Sequence, residues 1–579
     1  MRIAHGAPHG APPYPVVLAC GFTPLHLKTF LHAHLQEALP LRAVTLTEGL
    51  FGDLYGTLAR AAAQPPQSVA IALEWSDIDP RLGYRSTAQW SPAAADDIMG
   101  VAETTLRRLR IGIGKIAKEV RIAISLPGLP LPPMFQTPGW QQSRCEIQLC
   151  RLIALFCGEL ATDRDAAFVN ANRLTEESPL RGRFDLRSDL LFGFPYSLSH
   201  ADCLAESLTR LLVPIPPRKG IITDLDDTLW NGIAGEVGPE GISWDLARHH
   251  HLHALYQNLL SSLADQGTLI GIASKNDADL VEKCFARPDI LLRPEKVFPR
   301  EVHWQAKSTS VTRILETWNV AADSVIFVDD SPMELAEVAA AHPGIQCVLF
   351  PKNDYAAAHR VLDQIRDLCA HERVSPEDLL RAASIRASAE FKQISGENAA
   401  PDAFLEGMRS VVTIDFGGGH EDGRVLELVN KTNQFNLNGI RRTAEDWRML
   451  TLAEGSFTAV VTYEDKFGPL GRISIVQGSH SGGVMKIGTW VMSCRAFSRR
   501  IEHQCLRTLF ERFDARKATF DFAPTARNGP LQELLVSLTG NLPQGTVSLA
   551  RQEFLDRCPR LFHRVIVRSD GIQEEGLNG

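Results

Sequence analysis

Three aspartates fall within four positions in GIITDLDDTLWNG, residues 220–232, directly after an apolar run. Carboxylates repel one another and resist burial unless a cation offsets their charge. Further acids and polar residues follow apolar runs downstream: IASKN ends at Asn276, Lys307 lies in HWQAKS, and IFVDD ends at Asp330. Carboxylates on one strand end, facing a second acidic strand end, make a site for a hard cation. Mg²⁺ takes one or two carboxylates together with water and phosphate oxygens. Asp224, Asp226, Asp329 and Asp330 are the candidate metal group, and Mg²⁺ the expected cofactor.

The elements around these residues alternate. IITDL reads as a strand, and HLHALYQNLLSSLADQG as a helix with Leu252, Leu255, Leu259, Leu260 and Leu263 on one face and Gly267 as its stop. TLIGIASKN and SVIFVDDSP read as further strands with polar C-terminal ends. In an open parallel sheet the ligand crevice lies at those ends, so three strands bring Asp224, Asp226, Ser274, Asp329 and Asp330 to one edge. Asp227 reads as a turn or cap residue. Trp230, Asn231 and Gly232 either shape a pocket or serve the core. The histidines of HHHLH, 249–253, point around a helix and read as a solvated face.

Before this region, YPVVLACGFTPLHLKTFLHAHLQ, SVAIALEWSDID and VRIAISLPGLPLPP alternate with helical stretches and predict an α/β domain over 1–215. LLVPIPPRKG, 211–220, reads as the boundary. A parallel-sheet domain is expected over 216–372. Over 373–579 the strands VVTIDF, FTAVVTYED, GRISIVQGS and VMKIGTWVMS predict an α+β domain with antiparallel pairing. Gly417-Gly418-Gly419 reads as a loop, because no strand–glycine–helix context surrounds it.

The totals exclude several classes. The 579 residues suggest three or four domains, with 44% apolar and 22% charged residues as in globular protein. A net charge of −8 with no basic block argues against nucleic acid as ligand. No apolar run is long enough for a membrane span, and the first residues lack the apolar core of a signal peptide, so a cytoplasmic protein is expected. The eleven cysteines include no CxxC pair and read mostly as small apolar residues.

The order DLDDT, IASKN, Lys307, IFVDD resembles the four motifs of the haloacid dehalogenase (HAD) phosphatase superfamily, with its Rossmannoid parallel sheet. The resemblance implies Asp224 as nucleophile forming an aspartyl-phosphate and Asp226 as general acid. Thr228 then fixes the turn, Ser274 donates to phosphoryl oxygens with Lys275 and Asn276 beside it, and Lys307 neutralises charge. It implies Asp330 rather than Asp329 as the third metal contact, beside Asp224 and the backbone carbonyl of Asp226.

DLDDTLWNGIAGEVG, SKND, LVNKTNQFNLNGIRRT, YEDKFGPLGRISIV, WVMSCRAFSRRIE and APTARNGP together resemble the FkbH-like proteins across roughly 220–565. These join a subfamily IIIC HAD domain to an acyltransferase domain of the GNAT type. Members load a glyceryl unit from 1,3-bisphosphoglycerate onto the phosphopantetheine of an acyl carrier protein, starting a polyketide building block. Cys494, near Arg495, Arg499 and Arg500, is the expected acyl-accepting thiol, since nearby cations favour thiolate. His503 is a base or a surface histidine. Arg499 and Arg500 form an anion clamp or ordinary surface charges, and Arg495 joins Arg499 among the expected substrate contacts. Asn433, Gln434, Asn436, Arg441 and Asn528 are expected near a carbonyl or the pantetheine arm. The glycine-rich pyrophosphate loop usual in GNAT enzymes is missing, which favours a carrier-bound thiol over free acetyl-CoA.

Residues 1–215 resemble the SGNH-hydrolase-like, flavodoxin-like α/β domain found ahead of FkbH-like cores. The first strand ends in ACGFTPLHL without a Gly-Asp-Ser nucleophile, and His200 is at most a remnant, so a non-hydrolytic domain is expected. Two other readings stay open. One is a plain Mg²⁺ phosphatase of a small phosphoester with a C-terminal scaffold, or a loader of lactyl or another three-carbon unit. The other is a module that recruits a carrier protein and uses its acids only to bind metal.

Overall fold

The computed structural model describes residues 8, 10–86, 92–133, 137–163, 166–352, 354–371, 374, 378–383, 385–386, 402–417, 423–432, 434–466, 468–493, 496–525, 528–541, 545–569 and 572–576. Contacts divide the chain into two units, Met1–Pro216 and Pro217–Gly579, and the division falls inside the proline-rich stretch 211–220. Among the described residues no helix is long and apolar enough to cross a membrane.

The first unit holds a five-stranded sheet of β1 (Pro13–Ala19), β2 (Ala43–Glu48), β3 (Ser68–Ala72), β4 (Arg121–Ser125) and β5 (Ala166–Phe168). The order is β2-β1-β3-β4-β5 and every pairing is parallel. Consecutive residues of β3 face opposite ways: Val69 and Ile71 join one apolar cluster, Ala70 and Ala72 the other. Both faces are therefore covered, as a parallel sheet requires.

The second unit begins with a second parallel sheet: β6 (Gly220–Thr223), β7 (Leu269–Ser274), β8 (Val297–Val302), β9 (Val325–Asp329) and β10 (Gln346–Leu349). Its order is β10-β9-β6-β7-β8. Ile221 and Ile326 face helices His251–Asp265 and Tyr355–Cys369, whereas Ile222 and Phe327 face helices Lys307–Trp318 and Pro332–Ala341. Gly220 and Gly271 leave room for Trp318, whose ring a Cβ would meet at 2.5 Å and 2.8 Å.

The remaining strands form a nine-stranded sheet: β11 (Val411–Asp415), β12 (Phe435–Asn436), β13 (Ser456–Asp465), β14 (Gly468–Ser481), β15 (Val484–Met492), β16 (Lys517–Phe520), β17 (Val547–Ala550), β18 (Arg564–Ser569) and β19 (Ile572–Gly576). The expected antiparallel pairing holds for β11–β13, β13–β14 and β14–β15, while β11–β18 and β15–β16 are parallel.

The boundary expected at 372/373 does not coincide with the packing. Ile385 is buried in the cluster of Ile222, Phe327 and Trp318, and Ala382 packs against it. Arg381 Nη1 donates to Gly267 O at 3.0 Å, and Arg386 Nη2 to Val297 O at 3.1 Å. The helical residues 378–383 and 385–386 thus lie on the second parallel sheet, where Ala382 and Ile385 complete its face.

Candidate active site

Each strand of the second sheet delivers one part of a single polar cluster. β6 is central, with β9 on one side and β7 on the other, so Asp224 lies between Asp329 and Ser274. Lys307 opens the helix that follows β8. Its Nζ is 2.8 Å from Asp224 Oδ1 and 2.6 Å from Asp329 Oδ2, and it also pairs with Glu334. One carboxylate oxygen from each of Asp224, Asp329 and Asp330 lies within 4.8 Å of the other two.

The electrostatics follow from crowding. Burial pushes the Asp224 carboxyl up to about 6, with Lys307 and the Ser274 hydroxyl opposing. Burial and then the Asp224 charge push Asp329 up to about 7. Lys307 is buried too, yet its carboxylate neighbours hold it above the ordinary lysine value, so it stays charged. One buried ammonium shared among three carboxylates leaves the acids under-compensated. Three carboxylate oxygens at adjacent strand ends, still short of positive charge, fit a hard divalent cation such as Mg²⁺. Asp329 is fully buried, with Oδ2 on Lys307 and Oδ1 accepting from Ser331 N–H at 2.9 Å.

Asp226 lies beside this group. Its Oδ1 accepts from Trp230 Nε1 at 2.9 Å and Ala234 N–H at 3.1 Å, and its Oδ2 from Asn276 Nδ2 at 3.0 Å. Burial raises its pKa against those donors. Trp230 is fully buried, so it serves the core and the acid together. Asp227 sits at φ +53°, and its Oδ1 accepts from Gly232 N–H at 2.8 Å, as a turn residue would. Burial pushes its carboxyl up, but the bonds to Lys352 and Gly232 outweigh this and hold it low.

Several expected contacts are placed differently. Asn276 turns to Asp226 and Lys275 to Glu334 at 3.0 Å, so in this structure both address protein acids. The Ser274 hydroxyl bonds Asp224. Thr228 is buried and its hydroxyl has no hydrogen-bond partner among the described residues; its carbonyl accepts from His253 Nδ1 at 2.9 Å. The reading of HHHLH as a solvated face therefore fails for His253, which is buried beneath the aspartate loop. Gln257 Nε2 supports the same loop, donating to Leu229 O at 3.0 Å.

Two further residues escaped the sequence reading. Glu334 lies in the first turn of the helix Pro332–Ala341 and pairs with Lys307 and Lys275. Lys352 follows β10 by three residues and contacts Asp227 Oδ2 at 2.6 Å and Asp330 Oδ2 at 2.9 Å. No spacing rule marks it.

In the C-terminal third, Cys494, Arg495 and Asn433 lie outside the described residues. The side-chain amides of Gln434 and Asn528 bond to the protein itself. Gln434 Nε2 donates to Asn319 Oδ1 at 2.6 Å, at the end of the helix Lys307–Trp318. Asn528 is fully buried: its Nδ2 donates to Asn436 O and Ala523 O, and its Oδ1 accepts from Thr525 N–H and Gln532 Nε2. Asn436 closes its own turn through Thr432 O, Asn438 N–H and Gly439 N–H, and Arg441 holds Val429 O and Thr432 O. These amides pin loops, because buried amide groups must be satisfied. Arg499 is buried, 3.4 Å from Asp465 and over the Tyr463 ring. Arg500 donates to Arg560 O and Asp402, and His503 pairs with Glu502.

In the first unit, Cys20 and His200 are buried. His200 Nδ1 meets Ser178 Oγ at 2.9 Å, and burial pushes this histidine down to about 4. Glu74 fills the C-terminal edge of the sheet, accepting from Tyr196 OH at 2.9 Å and from Gly128 and Leu129 N–H at 3.2 Å each.

No family model matches the chain, and no curated protein matches it. Among solved structures it is similar to the N-terminal part of protein BF1531 from Bacteroides fragilis, containing a phosphatase domain complexed with Mg. The identity is 18% over 61% of this chain and 94% of that one, with a TM-score of 0.47. A "putative GDSL-like lipase" from Parabacteroides merdae is 11% identical over 35% of this chain and 97% of that one, with a TM-score of 0.23. Likenesses this distant leave the chemistry to be judged from the site itself.

Proposed function

We propose that this protein is a Mg²⁺-dependent phosphatase that works through an aspartyl-phosphate on Asp224. The observation that carries the reading is the group of Asp224, Asp329 and Asp330 oxygens within 4.8 Å, with Lys307 bonded to the first two. Asp224 attacks phosphorus as the bond to the leaving oxygen breaks, and Asp226 supplies the proton that oxygen needs. Asp226 then takes a proton from the water that attacks the acyl-phosphate, and inorganic phosphate leaves. Lys307 and Ser274 hold phosphoryl oxygens. Asp224, the Asp226 carbonyl and Asp330 would hold the metal, and when bound it draws charge from the phosphoryl oxygens. Both Asp329 oxygens already have protein partners, which favours Asp330 as the direct ligand.

In the finer reading, the substrate is 1,3-bisphosphoglycerate or a related phosphorylated three-carbon acid. Its acyl group moves to Cys494 as a thioester, the second phosphate is removed at Asp224, and the glyceryl unit passes to the phosphopantetheine thiol of an acyl carrier protein. Its support is the six motifs in order between 220 and 565. A phosphatase alone has no use for a cysteine among arginines in another part of the chain.

Intact-protein mass spectrometry tests both levels. The enzyme is incubated with Mg²⁺ and freshly generated 1,3-bisphosphoglycerate, with and without carrier protein, beside Cys494→Ala and Asp224→Asn. A glyceryl-sized adduct that moves to the carrier and is absent in Cys494→Ala supports the transferase. Phosphate release without an adduct leaves the phosphatase alone. Phosphate release that persists in Asp224→Asn rejects the aspartyl-phosphate.

A further inference from the structure

Lys352 has no part in the chemistry above. Its Nζ bonds Asp330 Oδ2 at 2.9 Å and Asp227 Oδ2 at 2.6 Å, and its side chain is about one-third exposed. Asp330 belongs to the three-carboxylate group. Asp227 holds Gly232 N–H, in the turn whose other acid, Asp226, is the proton donor. One ammonium thus joins the metal group to the turn of the general acid.

The surroundings explain why a cation is needed there. Asp224, Asp226, Asp227, Asp329, Asp330 and Glu334 converge on this edge. Lys307 is engaged by Asp224, Asp329 and Glu334, and Lys275 by Glu334. Lys352 is the lysine on the Asp330 side. The two oxygens of one carboxylate are about 2 Å apart, so an ion held by Asp330 and the Lys352 ammonium lie within a few ångströms and repel.

We infer that Lys352 is a positioning residue that stands in for the metal: it holds Asp330 against its acidic neighbours while no cation is present, and lowers the affinity for the cation that replaces it. The inference rests on the metal site proposed above. Whatever stabilises the metal-free state more than the bound one weakens binding by the same free energy. Neutralising Lys352 therefore has two linked effects. Metal binding tightens, and the metal-free protein loses stability that metal restores.

The test uses the full chain without substrate. Mn²⁺ binding is followed by the loss of the free-ion paramagnetic resonance signal, and thermal unfolding is measured in EDTA and in saturating Mg²⁺. Lys352→Met keeps the apolar stem, and Lys352→Arg keeps the charge. The expected result is about tenfold tighter Mn²⁺ binding in Lys352→Met, with a lower melting temperature in EDTA that returns to the wild-type value in Mg²⁺. Lys352→Arg stays near wild type in both. Unchanged or weaker binding in Lys352→Met, or a melting deficit equal in EDTA and Mg²⁺, overturns the inference. Should Lys352→Met not fold, Asp227→Asn leaves the ammonium to Asp330 alone, and Mn²⁺ binding is then expected to weaken several-fold; no weakening overturns it. A wild-type chain that binds no Mn²⁺ overturns the metal site itself.

Discussion

Asn276 donates its side-chain amide to Asp226 Oδ2 at 3.0 Å, while its own Oδ1 accepts from Asp277 N–H at 2.9 Å. The second bond fixes which end of the amide faces the acid. Asn276 therefore aims Asp226, the general acid of the proposed mechanism, rather than reading a substrate. A hydrogen bond to a charged group is worth about 1.5–3 kcal/mol. Asn276→Ala should lower turnover of an alkyl phosphate by about tenfold or more, and spare an aryl phosphate whose leaving group needs no proton. Equal losses on both substrates would assign Asn276 to binding instead.

Lys307 is almost wholly buried and serves three carboxylates. Removing one partner of a buried ionic group costs about 3–5 kcal/mol. Lys307→Met should abolish phosphate release and lower the free energy of unfolding of the second unit by that order in urea. Mg²⁺ should recover part of the stability and none of the activity.

In the first unit, burial pushes Glu74 up to about 8 and Asp77 up to about 7. Unfolded, both titrate near 4. A folded pKa above the unfolded one means a stabilising contribution that is full below about pH 4 and disappears as pH rises through about 7 and 8. His200, pushed down to about 4, acts the other way: its contribution is lost as pH falls below about 6.5. Between about pH 6.5 and 8, of these three groups the two carboxyls alone contribute. The urea midpoint of this unit should fall over that window, and Glu74→Gln should flatten most of the slope.

Arg499 is buried against Asp465 and Tyr463. As a packed ion-pair partner it should respond to substitution through stability. Arg499→Met should destabilise the second unit by about 3 kcal/mol. A variant of wild-type stability with a raised KM for an acyl-phosphate would return Arg499 to the role of an anion clamp.

The aspartate cluster was legible because its chemistry is carried by strand ends. Once IITDL, IGIAS and VIFVD are strands of one parallel sheet, Asp224, Ser274 and Asp329 must meet, whatever the loops do. Lys307 was legible through the resemblance to the four-motif order, and the structure places it at the start of the helix after β8. Lys352 was not, since an edge strand followed by three loop residues does not fix where a flexible side chain ends. The amides of NKTNQFNLN misled for a related reason. Asn and Gln serve substrates and loops with the same atoms, and which they do depends on what the fold brings near: Asn319 for Gln434, and the carbonyls of Asn436 and Ala523 for Asn528. His253 looked exposed because neighbouring histidines on a helix point different ways, and only packing decides which one is inward.

The burial of Ile385 among Ile222, Phe327 and Trp318 has a practical consequence. Counted along the chain, residues 378–383 and 385–386 belong to the C-terminal third; counted by what they touch, they are a rib of the second parallel sheet. The two halves are spliced rather than strung. A chimera that exchanges one half for a homologous module has to carry this rib with the sheet it covers, or the graft will start with an open apolar face beside the helix that bears Lys307.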